Sequence, residues 1–231
     1  YCTIYFNPDD TYEVGEQLWH GGSYNDQYYV STNSTDYNVT IVGDFILNIT
    51  SPIEQIYTGV QNVTITGTVT DERSPPTNVS DANVSFVLIH TWNNGTVYTN
   101  TTLCSIDNVV REGDGNYSCT FNTSGLPGGW YNVTMNAARK YYNSNATTRI
   151  KSFFVNIAPE LTNQYSDPVE KYWGSTFTFY INLTDDDDTV TVNFWHRCIG
   201  GDTCTVSDFN QICTGSYTDS VSYTHLTLPT K

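Results

Sequence analysis

Phe177-Thr178-Phe179-Tyr180-Ile181-Asn182-Leu183-Thr184 alternates apolar and polar residues with a period of two. Successive side chains of a β-strand point to opposite faces. Phe177, Phe179, Ile181 and Leu183 therefore make a core face, and Thr178, Tyr180, Asn182 and Thr184 a wet one. Shorter versions recur at Asn38-Val39-Thr40, Asn48-Ile49-Thr50, Asn62-Val63-Thr64, Asn83-Val84-Ser85 and Asn132-Val133-Thr134. In each, the asparagine and the hydroxyl share the wet face while the aliphatic residue points inward. Turn clusters such as Asn93-Asn94-Gly95, Glu112-Gly113-Asp114-Gly115 and Pro127-Gly128-Gly129 separate such runs roughly every 8 to 12 residues. No stretch keeps a capped helical period. The sequence predicts an all-β chain of sandwich type.

The polar-aliphatic-polar triplets are also acceptors for N-linked sugar. Thirteen Asn-X-Ser/Thr sites occur, at Asn33, Asn38, Asn48, Asn62, Asn78, Asn83, Asn94, Asn100, Asn116, Asn122, Asn132, Asn145 and Asn182. With 23 Asn and 53 Ser plus Thr, chance placement gives about five. Composition alone thus leaves more than half of them unaccounted for, and extensive glycosylation is expected. No cofactor is expected beyond these covalent glycans. They also answer a question of solubility. Charged residues are only 14% of the chain, and Lys, a usual guard of sheet edges, is scarce. Sugar on the wet faces would do that work instead.

The formal charge of -15 repels nucleic acid and anionic membrane, so neither is an expected partner. The longest apolar run, Phe86-Val87-Leu88-Ile89, is too short to span a bilayer, so this segment is not expected to insert into a membrane. The chain opens without Met or a signal peptide and is expected to be a processed or excised piece of something longer. Its six cysteines suit an oxidising, extracellular or cell-surface location.

Internal comparison indicates a repeat. Phe45-Ile46-Leu47-Asn48-Ile49-Thr50-Ser51-Pro52 echoes Phe153-Phe154-Val155-Asn156-Ile157-Ala158-Pro159, each read as a last strand entering a junction. Beyond the junctions His90 parallels His196 and Cys104 parallels Cys213. Before them Tyr1-Cys2-Thr3 parallels Ser118-Cys119-Thr120, and Trp19 parallels Trp130. Residues 51–157 read as one complete domain, 1–50 as the back half of another, and 158–219 as the front half of a third. Either the chain is cut from a longer array, or residues 1–50 of one copy complete residues 158–219 of the next.

Cys104 and Cys119 flank the turn Asp114-Gly115-Asn116, and a disulfide between them would staple a hairpin. Cys198 and Cys204 bracket Gly200-Gly201 as a second staple. Cys213 and Cys2, the repeat equivalents of Cys104 and Cys119, would then bond between neighbouring units. No spacing suits a zinc site, so no metal is expected. Asp185-Asp186-Asp187-Asp188 could attract Ca²⁺, but its counterpart Thr70-Asp71-Glu72-Arg73-Ser74 lacks the cluster, and a solvated acidic turn is the expectation. No catalytic residue is expected: His90 and His196 fall on matched strands and read as packing, as do Trp92, Trp130 and Trp195. No nucleophile elbow or phosphate loop is present.

The junctions, Asn-rich strands, Asp-rich turn and Gly129-Trp130-Tyr131 segment together resemble the tandem immunoglobulin-like repeats of prokaryotic, especially archaeal, surface and filament glycoproteins. That resemblance covers residues 1–219 and implies tandem β-sandwiches with no catalytic residue. Residues 221–230 instead resemble a translated sequencing adapter, so 220–231 are expected to lie outside the fold. The expected function is that of a structural, non-enzymatic subunit of a glycan-sheathed fibre or stalk, identical subunits meeting head to tail. The alternative is an adhesin or receptor ectodomain, with aromatic residues binding a cell-surface or glycan ligand.

Overall fold

The computed structural model describes residues 3–170, 177–184, 190–196, 210–217 and 222–228, and every helix-or-strand element among them is a strand. Four short strands come first: β1 (Gly15–Trp19), β2 (Gly22–Ser23), β3 (Thr32–Asn33) and β4 (Tyr37–Ile41). β1 pairs antiparallel with β4, and β2 with β3, forming one narrow ribbon. Ten strands follow: β5 (Gly43–Ser51), β6 (Gln55–Thr58), β7 (Asn62–Asp71), β8 (Asn83–Thr91), β9 (Val97–Cys104), β10 (Val110–Gly113), β11 (Asn116–Asn122), β12 (Gly129–Ala138), β13 (Tyr142–Asn143) and β14 (Asn145–Asn156). The last five are β15 (Glu160–Asp167), β16 (Phe177–Thr184), β17 (Val190–His196), β18 (Asn210–Tyr217) and β19 (Ser222–Leu228).

β5 to β14 build a sandwich of two five-stranded sheets, ordered β10-β11-β7-β5-β13 and β6-β14-β12-β8-β9. The period-two pattern explains why they pack. Val63, Ile65 and Val69 of β7 are buried against Val84, Phe86 and Leu88 of β8 and Tyr131, Val133 and Met135 of β12. Each such side chain taken from water stabilises the fold by about 1.5–3 kcal/mol. Tyr131 stacks on Phe153 with ring centroids 4.9 Å apart. Tyr117 ties a loop to the core, its hydroxyl donating to Val79 O at 2.8 Å and accepting from Ala82 N at 2.9 Å.

Cys104 and Cys119 form a disulfide, but not across a hairpin. Cys104 lies at the end of β9, on the margin of one sheet, and Cys119 on β11 of the other. The bond joins the two sheets, because β9 and β11 belong to different layers and β10 is the hairpin partner of β11. Cys2, Cys198 and Cys204 lie outside the described residues. Cys213 falls on β18, and its side chain lies outside them too.

The first strand of the sandwich changes layers. β5 pairs antiparallel with β7, and after the cis Ser51–Pro52 bond β6 runs parallel to β14 in the opposite sheet. Phe45 and Ile49 are buried in the common core. The boundary expected at residue 51 therefore falls inside the sandwich, which begins at Gly43. The echo between Phe45–Ile49 and Phe153–Ile157 marks two apolar strands, but one opens the sandwich and the other closes it. The chain enters beside Tyr141, with Gly43 N on Tyr141 O at 3.0 Å. It leaves beside Gly59, whose N–H reaches Asn156 O at 2.8 Å. These points lie at opposite ends.

The C-terminal strands repeat this topology in part. β16 lies between β15 and β19 as β7 lies between β5 and β11, and β17 pairs with β18 as β8 pairs with β9. Phe86 faces Cys104 just before a register shift, and Phe194 faces Cys213 just before another. The cis Asp167–Pro168 bond follows β15 as the cis Ser51–Pro52 bond follows β5. Pro168-Val169-Glu170 is similar in sequence to Pro52-Ile53-Glu54 and likewise follows a strand, as Pro159 follows β14. The same register places His196 level with Leu88, not with His90. Ser222–Leu228, set outside the fold on sequence, pairs along β16. Alternating Leu and Thr make an extended run that an open strand edge accepts.

Candidate functional site: outer faces and open edges

The sequons reach solvent on both layers. Asn48, Asn62, Asn116 and Asn122 stand on the β11-β7-β5 sheet, and Asn83, Asn100, Asn132 and Asn145 on the opposite one. Asn78 and Asn94 occupy loops, Asn33 and Asn38 the ribbon, and Asn182 β16. None of the thirteen is buried: Asn100, Asn132 and Asn182 are half-buried and the other ten exposed. Their middle residues Ile49, Val63, Val84, Val133 and Leu183 point into the protein. Between the sequons run hydroxyl pairs, Thr64 with Thr120 at 2.8 Å, Thr50 with Thr66 at 2.7 Å, and Thr134 with Thr148 at 2.8 Å. These cross-strand contacts tie neighbouring strands together on the polar faces.

Several sequon amides are engaged through Nδ2, the atom that would carry sugar, and others through Oδ1 alone. Nδ2 of Asn122 donates to Asn62 Oδ1 at 3.1 Å, that of Asn145 to Phe45 O at 2.8 Å, and that of Asn116 to Gly113 O at 3.2 Å. In Asn94 and Asn132 it is the carbonyl oxygen that accepts, from Thr96 N and Lys151 N, both at 2.8 Å. A sugar attached at Nδ2 leaves those last two bonds intact.

The tryptophans depart from expectation. Trp130 alternates with the inward Tyr131 and so faces outward, half-buried, at an edge-on 5.2 Å from Phe154. Register places Val97, Thr91, Trp130, Phe154 and Ile56 in one row across all five strands of that sheet. Val97 and Ile56 are exposed. Trp92 is likewise half-buried rather than core. The side chain of Trp195 lies outside the described residues.

His90 is a packing residue. It is buried, its Nδ1 donates to Trp130 O at 2.9 Å, and the rings of Trp92 and Tyr131 lie 4.7 and 5.3 Å away. Gly129 gives it room: a Cβ there would stand 2.4 Å from His90 Cε1, and its φ is +118°. Among the described residues its Nε2 has no hydrogen-bond partner. A shallow depression of about 660 Å³ is lined by Asn83, Ser85, Asn136 and Asn145 with apolar neighbours, and two of those are sequons.

The ribbon is tied to the entry end of the sandwich by charge. Asp71, nearly fully buried, accepts from Arg73 Nε at 2.7 Å and from Thr77 N at 2.8 Å. Burial opposes its ionisation, yet the Thr77 N–H and the Arg73 guanidinium prevail and hold its pKa below the ordinary carboxylate value. Hydrogen bonds to Asp71 and Glu13 raise that of Arg73. Arg73 Nη1 also reaches Glu13 at 3.1 Å, and Tyr141 donates to Glu16 at 2.9 Å. Asp185 to Asp188 lie outside the described residues. Among the described residues no group of three or more His, Cys, Asp or Glu could hold a metal ion, and no helix is long and apolar enough to cross a membrane.

Sequence reasoning missed the layer change of the first strand, the inter-sheet placement of the disulfide and the outward row through Trp130. The first two were signalled by Pro52 and by β10 standing between Cys104 and Cys119. Searched against known proteins, the chain matches no family model and no curated protein.

Proposed function

We propose that this chain is a structural subunit of an extracellular, N-glycosylated fibre or cell-surface stalk, built of immunoglobulin-like sandwiches and continued head to tail. One observation carries the reading: the chain threads the sandwich from end to end while sequons occupy both outer faces. Glycans on the flanks leave the two ends as the natural contacts, and end-to-end contacts extend in one direction. An inter-sheet disulfide suits an oxidising compartment. The prokaryotic surface repeats that the sequence resembles would share this plan, and the role requires no catalytic group.

The test is electron microscopy of the native material, with intact mass before and after enzymatic or chemical deglycosylation. Linear particles repeating every sandwich, with mass loss at several sequons, are expected. Isolated single-chain particles of unmodified mass would overturn the reading. The adhesin alternative draws on the Trp130 row, which carries no sequon itself. Trp130→Ala abolishing adhesion to cells while linear particles persist would establish it alongside the structural role.

A further inference from the structure

Asn62 on β7 and Asn122 on β11 stand directly opposite each other, and both open sequons, Asn62-Val63-Thr64 and Asn122-Thr123-Ser124. Beside them Thr123 N donates to Gln61 O at 2.9 Å. Backbone bonds that flank a facing pair mark the non-hydrogen-bonded kind, with Cα atoms about 4.5 Å apart and side chains at their closest. Both asparagines are exposed on the outer face, in line with the Thr64–Thr120 hydroxyl pair. Among the described residues no other two sequon asparagines face each other in this way. Asn48 and Asn116, by contrast, meet Thr68 from opposite sides and lie two strand spacings, about 9.5 Å, apart.

The hydrogen bonds make the two amides unequal. Ser124 N can only donate, so the Asn122 atom that it meets at 2.8 Å is Oδ1, and the one turned toward Asn62 is Nδ2. That donor needs an acceptor, which Asn62 supplies as Oδ1 at 3.1 Å. Asn122 is thus engaged at both ends of its amide. Asn62 keeps Nδ2 without a protein partner among the described residues. With ordinary amide dimensions the two Nδ2 atoms lie within about 5.5 Å of each other. A hexose with its substituents is at least that wide, so two sugars rooted here would collide.

From this asymmetry we infer that Asn62 and Asn122 form one glycosylation site, in which Asn62 takes the sugar and Asn122 holds its amide in place. The inference rests on the glycoprotein reading above and says which acceptors it uses. Transfer joins Asn62 Nδ2 to the anomeric carbon of a sugar donor activated there as a phosphate ester. The bond from that carbon to the phosphate oxygen breaks, the phosphate leaves with the electron pair, and Nδ2 gives one proton to a base of the transferase. Oδ1 of Asn62 is untouched, so the bond from Asn122 persists beneath the sugar. A chain that received both sugars before folding would meet the same crowding when β7 and β11 pair. The ladder is closed at this end, with Gln61 N on Thr123 Oγ1 at 2.9 Å beside the backbone bond.

The full-length chain is secreted from an N-glycosylating host, and glycopeptide mass spectrometry gives the fraction of each sequon that carries sugar. Asn62 is expected to be filled and Asn122 at least about tenfold less so. In Asn62→Ala, which removes both the neighbouring sugar and the acceptor of the Asn122 amide, sugar at Asn122 should rise by about the same factor. Asn122→Ala should leave Asn62 filled, and neither substitution should move the occupancy of Asn48 or Asn116. Fractions at Asn62 and Asn122 that add to well above one overturn the inference, as does Asn122 staying bare in Asn62→Ala, or Asn62 bare beside other filled sequons. The glycoprotein reading survives each of those results. A chain without sugar at any sequon overturns both.

Discussion

Val63 and Val39 occupy the middle of identical Asn-Val-Thr triplets, yet Val63 is 0% exposed and Val39 is 38% exposed. The first lies on β7, under a second sheet. The second lies on β4, in a two-stranded ribbon with no second layer over it among the described residues. Alternation states which face a residue takes, while burial depends on whether another layer arrives to cover that face. Within the sandwich it does. On the ribbon, Leu18, Trp19, Tyr24 and Tyr37 stay exposed in this chain.

The sharpest way to break this contrast is to truncate one aromatic in each region. Phe153→Ala should cost about 3–5 kcal/mol, because a fully buried ring stacked on Tyr131 leaves a cavity. Tyr24→Ala, at a side chain 87% exposed, should leave the melting temperature unchanged. Equal losses in a thermal unfolding series would show the ribbon to be packed after all. Next in size is the inter-sheet bond. Cys104→Ser with Cys119→Ser should lower stability by about 3 kcal/mol for a 15-residue separation, and reductant should reproduce the shift in the parent chain.

The smallest effect concerns Asp71, the buried carboxylate that holds the Arg73 side chain reaching Glu13. The pKa of Asp71 is lowered in the folded state, so its contribution is present above the ordinary value near 3.8 and is lost as pH falls through the folded value. Asp71→Asn should cost about 1–2 kcal/mol at neutral pH and approach nothing in strong acid. Denaturant titrations at pH 7 and pH 3 check it, and a penalty that grew on acidification would refute the assignment.

Much of this was legible in the sequence, and the limits have physical causes. The strand faces, the all-β class and the Cys104–Cys119 pair follow from period two and spacing. The placement of Phe45–Ile49 did not, because an apolar strand looks the same whether it opens a sandwich or closes one; only its pairing with β7 decides. Trp130 was misplaced for a related reason. Size and aromaticity favour burial, but Tyr131 next to it holds the inward seat, and a strand cannot turn two neighbours the same way. Pro159 and Pro168 both follow extended runs, and sequence alone does not say which of those runs pairs with β16; β15 does.

The layer change at Pro52 has a mechanical corollary. β6 and β14 lie side by side and run in the same direction, one attached through β5 to the incoming chain and the other feeding the outgoing chain. Traction on the two ends drags these neighbours past each other along their length. The ladder of β6 on β14, Gln55–Thr58 along Phe153–Asn156, is then loaded in shear and not unzipped bond by bond, in series with the β5–β7 ladder through which the pull arrives.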